Sequence, residues 1–108
     1  MTILNERTGA LVAASVRELT SVPEKTCGLI GCAAPKELLI RTRWGIHTFG
    51  VRFPIGVIVL DGRNYARKVA VLPPNRFLFW NPRWPSVLEI TPSGANLVRV
   101  GDKLRFVV

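Results

Sequence analysis

Residues 44–62, WGIHTFGVRFPIGVIVLDG, decide how the rest of the chain is read. They hold the one histidine, two strand patterns and the strongest turn signal. In the first half, His47, Phe49, Val51 and Phe53 alternate with Ile46, Thr48, Gly50 and Arg52. Successive side chains of a strand point to opposite faces, so this alternation predicts a half-buried strand with His47 on its apolar side. Pro54 has no N–H to give to a ladder and ends or bends that strand. Residues 55–60 are apolar almost throughout, which predicts a central strand buried on both faces. Gly56 interrupts the run and marks a bulge or a close backbone approach. Asp61-Gly62 then predicts a tight hairpin, because primed turns need residues that accept positive φ.

Working outward, residues 64–72 read as the return strand. Tyr65, Arg67, Val69 and Val71 share one face; Ala66, Lys68, Ala70 and Leu72 share the other. Pro73-Pro74-Asn75 stops it. Residues 76–86, RFLFWNPRWPS, place four aromatics and two arginines beside Pro82 and Pro85, and the prolines argue against regular structure. Residues 87–91 form a strand with Leu88 and Ile90 inward and Glu89 turned the other way, toward an arginine. A break at Pro92-Ser93-Gly94 precedes one helical turn over 95–98. Gly101-Asp102 makes a last turn, and residues 103–108 close the chain as a strand with Leu104 and Phe106 inward.

Toward the N-terminus, residues 38–43 alternate as a strand and residues 35–37 form a loop. Thr20 or Ser21 caps a short helix with Pro23 in its first turn and Glu24 near its positive end. Gly28 and Gly31 make its end irregular. The alanines of residues 10–16 favour helix on propensity. Residues 1–9 read as a loose start.

The sequence HTFGVRFPIGVIVLDG resembles the signature of a family of small prokaryotic domains, catalogued as domain of unknown function 192. Members similar to this chain match it at His47, Thr48, Phe49, Arg52, Phe53, Pro54, Ile55, Leu60 and Asp61. Weaker matches are Cys27-Gly28-Leu29-Ile30-Gly31, Val87-Leu88-Glu89-Ile90 and Gly101-Asp102, so the resemblance spans roughly residues 10–106. It implies a first strand rather than a helix at residues 10–16, and we read the segment so. Gly56 stands where the family usually has aspartate, so a site built on that carboxylate would be altered here. The resemblance implies a fold and no mechanism.

The 108 residues suit one domain, and a hydrophobic share of 48% is ample for its core. Frequent Gly and Pro in the second half fit short strands joined by turns. The expected fold is mainly β (α+β): a compact barrel-like or sandwich arrangement of about six to eight short strands with one or two short helices. Lysine plus arginine number 15 against 7 acids, and the net charge is +8. Eleven of the cations are arginine, the residue suited to bidentate phosphate or carboxylate contact. They form no single run, so solubility alone explains them as readily as an acidic partner does. Residues 1–9 lack the pattern of an export signal, and no run approaches the ~20 apolar residues of a membrane span. A cytoplasmic protein with no membrane partner is the expectation. Cys27 and Cys32 lie about 140° apart if both stand on one helix, which suits free buried thiols better than a disulfide. With His47 they give no zinc spacing, and neither a metal nor a cofactor is expected.

The sequence names no reaction. No nucleophile elbow, phosphate loop or dinucleotide fingerprint is present. Asp61 and Asp102 are explained by turns. The best functional candidate is the aromatic-basic loop 76–86, with Arg76, Phe79, Trp80, Arg83 and Trp84 as ligand contacts and Trp44 and Arg52 extending the surface. The competing reading folds that loop over the core as a cap. The first hypothesis is a non-enzymatic binding module for a small molecule, peptide or protein; the alternative is weak, largely non-specific nucleic-acid binding. A third is a small enzyme centred on His47 and Glu89. The alternation at residues 47–53 favours a neutral structural His47 packed in the core over a catalytic one.

Overall fold

The computed structural model describes residues 1–19, 37–43, 45–49 and 51–108. The expected helix after residue 20, both cysteines and Trp44 lie outside them. Ten short strands are present among the described residues: β1 (Thr2–Asn5), β2 (Leu11–Ala13), β3 (Arg17–Leu19), β4 (Leu38–Arg41), β5 (Gly45–His47), β6 (Ile55–Leu60), β7 (Ala66–Leu72), β8 (Phe77–Phe79), β9 (Ser86–Ile90) and β10 (Leu104–Val107). One helix, α1 (Pro92–Ala95), is capped by the Thr91 hydroxyl, which accepts from the Gly94 N–H.

The strands make three sheets. A central sheet has the order β3-β4-β9-β6-β7 and is antiparallel except for the β3–β4 pair. A second sheet has the order β10-β1-β2, and the third is the pair β5-β8. They stack like a sandwich and do not close into a barrel. The central sheet is covered on both sides. On one side Leu39, Ile58, Leu60, Leu88 and Ile90 pack with Ile3, Val12, Leu104 and Ala95 of the second sheet and α1. On the other, Leu38, Ile40, Val57, Val59 and Val87 pack with Val51 and Trp80, and with Ile46 and Leu78 of the small sheet.

This explains β6. It is buried at every position because it sits between β9 and β7 with a core on each face. Fully burying such a side chain contributes about 1.5–3 kcal/mol. Gly56 is where the backbone must come close: a Cβ there would lie 2.5 Å from the Thr91 carbonyl oxygen and 2.7 Å from the Ala95 methyl.

Several expectations are corrected. Residues 1–9 are not loose: β1 is the middle strand of its sheet, with Ile3 and Asn5 buried. The expected return strand starts at Ala66, while Tyr65 forms an isolated bridge to Lys103. The hairpin is not a two-residue primed turn. Its positive φ, 66°, falls on Asn64 and not on Gly62, and the Asp61 carboxylate accepts from the N–H groups of Arg63 and Tyr65. The first three residues of FLFW form β8 despite the prolines downstream. The helical turn lies at α1, three residues earlier than the expected start at Ala95.

Candidate binding face on the small sheet

The aromatic loop splits into two roles. Trp80 is only 8% exposed and belongs to the second core, with its indole N–H donating to the Trp84 carbonyl at 3.1 Å. Trp84 packs partly buried against the same core. Between them Asn81 fixes a turn: its side-chain oxygen accepts from the Arg83 N–H and its carbonyl from the Trp84 N–H. Arg43 donates to the Pro82 carbonyl at 3.0 Å and ties the loop to the end of β4. These two tryptophans close the core, so they are not open stacking platforms. Arg76, Arg83 and Arg52 are exposed.

The phenylalanines do the opposite. Alternation along β8 sends Leu78 inward and leaves Phe77 59% and Phe79 64% exposed. On the paired strand Gly45 lies opposite Phe79 and His47 opposite Phe77. Phe49, 42% exposed, continues the row past the end of β5. The rings touch in series: His47–Phe49 at 5.6 Å between centroids, Phe49–Phe77 at 4.8 Å edge-on, and Phe77–Phe79 at 5.6 Å with planes 15° apart. These are favourable aromatic separations. Gly45 makes room for the last ring, because a Cβ there would stand 2.8 Å from Phe79 Cδ1.

His47 therefore corrects the expectation of a core histidine. It is exposed, and Thr48, next to it, takes the buried place. β5 ends at His47, so the alternation assumed through residue 53 loses its phase after three residues. Thr48 is held inside by hydrogen bonds: its hydroxyl donates to the Pro73 carbonyl and accepts from the Arg76 N–H, both at 2.8 Å. Its N–H donates to the Arg76 carbonyl, and its own carbonyl accepts from Val51 and Asn75. This knot sets Phe49 and Phe77 on either side of one another. The Phe49 N–H donates to His47 Nδ1 at 3.3 Å, so the neutral imidazole carries its proton on Nε2.

Two cations lie next to the row in the chain or in space. Arg76 precedes Phe77 and donates to the Asn75 carbonyl at 3.2 Å, and the Lys68 amine donates to the Phe79 carbonyl at 3.4 Å. Among the described residues no carboxylate is bonded to Arg43, Arg52, Arg76, Arg83 or Lys68, whereas Arg7, Arg41 and Arg67 pair with Asp102, Glu18 and Asp61.

His47 and Glu89 are not brought together. His47 faces solvent on the small sheet. Glu89, 6% exposed, shares a face of the central sheet with Val87, and no hydrogen bond joins the two. Among the described residues no arginine forms an ion pair with Glu89, contrary to expectation. Burial alone pushes its carboxyl up to about 7. Asp102 is as little exposed but lies nearer the surface and is fully engaged: Arg7 donates to both its oxygens, and the Asn5 amide and the Arg99 N–H donate to Oδ2. The Arg7 guanidinium first, then the Arg99 and Asn5 donors, hold that carboxyl well below the ordinary carboxylate range. Sequence reasoning missed Phe77 and Phe49; the signal was the alternation Phe77-Leu78-Phe79 itself. Among the described residues no helix is long and apolar enough to cross a membrane.

No family model matches the chain, and no curated protein does. Solved structures do. A "putative transcription regulator" from Sinorhizobium meliloti is similar at 17% identity, over 96% of this chain and 89% of that one, with a TM-score of 0.76. A protein of unknown function from Novosphingobium aromaticivorans is similar at 15% identity, over 97% of this chain and 82% of that one, with a TM-score of 0.74. At these identities the likeness is one of fold.

Proposed function

We propose that the chain is a small non-enzymatic binding module that docks its partner on the ring row His47, Phe49, Phe77 and Phe79. The observation that carries this is the exposure of three phenylalanine rings in mutual contact on a hydrogen-bonded strand pair. A contiguous apolar patch on an ordered element is a common mark of an interaction surface. The motif that resembles domain of unknown function 192 holds His47, Thr48 and Phe49, two rings of the row and the hydrogen-bonded residue between them. A regulatory role through binding, as the description of one fold neighbour suggests, fits a face of this kind.

The test is a thermal-shift screen of metabolites, peptides and oligonucleotides on the wild type and on Phe77→Ser/Phe79→Ser. A ligand that raises the melting temperature of the wild type only is the expected result. Ligands that stabilise both proteins equally would place the docking site elsewhere.

A further inference from the structure

We infer that the ring row takes single-stranded nucleic acid, its bases stacked on Phe77 and Phe79 and its phosphates met by Arg76 and Lys68. The inference rests on the docking face proposed above and names its occupant. Three observations point there.

The first is the distribution of charge. Residues 38–88 carry eight of the fifteen cations and, in Asp61, one of the seven acids. The remaining residues hold seven cations and six acids and are nearly balanced. The basic excess therefore lies almost wholly in the segment that contains the ring row, and five of its cations, Arg43, Arg52, Lys68, Arg76 and Arg83, have no carboxylate bonded to them among the described residues. Asp61, the acid within it, is already engaged by Arg67 and by backbone N–H groups. A polyanion is attracted to such a surface, and a neutral or cationic partner is not.

The second is the geometry of the rings. Phe77 and Phe79 are the most exposed of the row, and their planes differ by 15°. The two rings stack on one another and keep their outward faces open in nearly one orientation, and every base has a π-face to lay on them, so the platform discriminates little among sequences. The third is the nearness of two cations to that pair: Lys68, whose amine reaches the Phe79 carbonyl, and exposed Arg76, which precedes Phe77 and donates to the Asn75 carbonyl. A nucleic acid strand has its charges beside its stacked bases in the same way. An acidic peptide matches the charge but not the paired platforms, and a second copy of a +8 chain matches neither.

The experiment is fluorescence anisotropy of a labelled oligothymidylate across a salt series. We expect binding that weakens with salt, with a log–log slope of about −0.7 per phosphate contacted. Phe77→Ala and Phe79→Ala should each weaken it by about tenfold at fixed salt. Arg76→Ala should weaken it less and make the slope shallower by about 0.7. Circular-dichroism melts check that these exposed substitutions leave the fold intact. No oligothymidylate binding at low salt overturns the inference. If a polyglutamate peptide or a second copy, the latter read by sedimentation, then proves ring-dependent, the docking face stands and only its occupant changes. Oligothymidylate binding that the ring variants leave untouched overturns both the inference and the docking face.

Discussion

The central sheet has two faces, and among the described residues each side holds one buried carboxylate. On the side of the second sheet, Asp102 is 5% exposed and meets the Arg7, Asn5 and Arg99 donors. On the side of the small sheet, Glu89 is 6% exposed and meets none of these. Similar exposure gives opposite outcomes, because depth and partners differ: Asp102 lies shallow under donors that hold it ionised, and Glu89 lies deep, where desolvation favours the neutral form. The first side is closed by a three-stranded sheet and a polar network that welds both ends of the chain. Among the described residues the second is covered by two three-residue strands and Trp80, and the outer surface of those strands carries the rings. Both sides hold a buried core, and the candidate binding face lies over the second.

The largest test of this contrast is the strand both sides share. Val57→Asp sets an unpaired charge in a fully buried position of β6. It should remove more than about 4 kcal/mol and leave no cooperative melting transition. Asp102→Ala should remove about 2–3 kcal/mol in urea unfolding, because the buried Asn5 amide and the Arg99 N–H lose their acceptor. Wild-type-like stability in that variant would mean that the network welds nothing.

Glu89→Gln should act the other way. The folded-state value of about 7 lies above the ordinary 4.5, so the folded form holds a proton that the unfolded form has lost. Stability is therefore intact below about pH 4.5 and falls as pH rises through about 7. Glutamine removes that loss, so the variant should exceed the wild type by about 3 kcal/mol at pH 8 and match it at pH 4. Asp102 tilts the curve in the opposite sense, since its contribution is present at neutral pH and disappears in acid. Equal pH profiles for the wild type and Glu89→Gln would show that the Glu89 carboxyl is hydrated. The smallest effect belongs to Phe77→Ser/Phe79→Ser, which should change stability by less than about 0.5 kcal/mol per site because the rings cover little core. A large loss there would make the rings a part of the fold rather than a face.

Residues whose character is the same on both faces were readable in advance. Ile55–Leu60 needs no phase, since every position is buried, and Gly56 announced its close contact by having no side chain. Phase-dependent readings failed where strands are short. A three-residue strand such as β5 has too few alternations to show which residue turns inward, and Thr48 does so for hydrogen bonds to residues 73 and 76. β8 was hidden because Pro82 and Pro85, both beyond its end, dominate the composition of the loop. β1 was hidden because its partners, β2 and β10, lie partly at the far end of the chain. The division of one aromatic loop into inward tryptophans and outward phenylalanines needed the register with β5.

The order of strands in the central sheet has a consequence for how the protein is made. β6 is an uncharged run of six apolar residues, and only its pairing with β7 is local. Its other edge waits for β9, which must slot between β4 and β6 and is synthesised some thirty residues later. Until Ser86–Ile90 leaves the ribosome, the nascent chain presents IGVIVL as an open, charge-free edge, the kind of segment that pairs with the wrong neighbour. Chains truncated before residue 86 should therefore aggregate, and the yield of intact protein should depend on how quickly translation delivers β9.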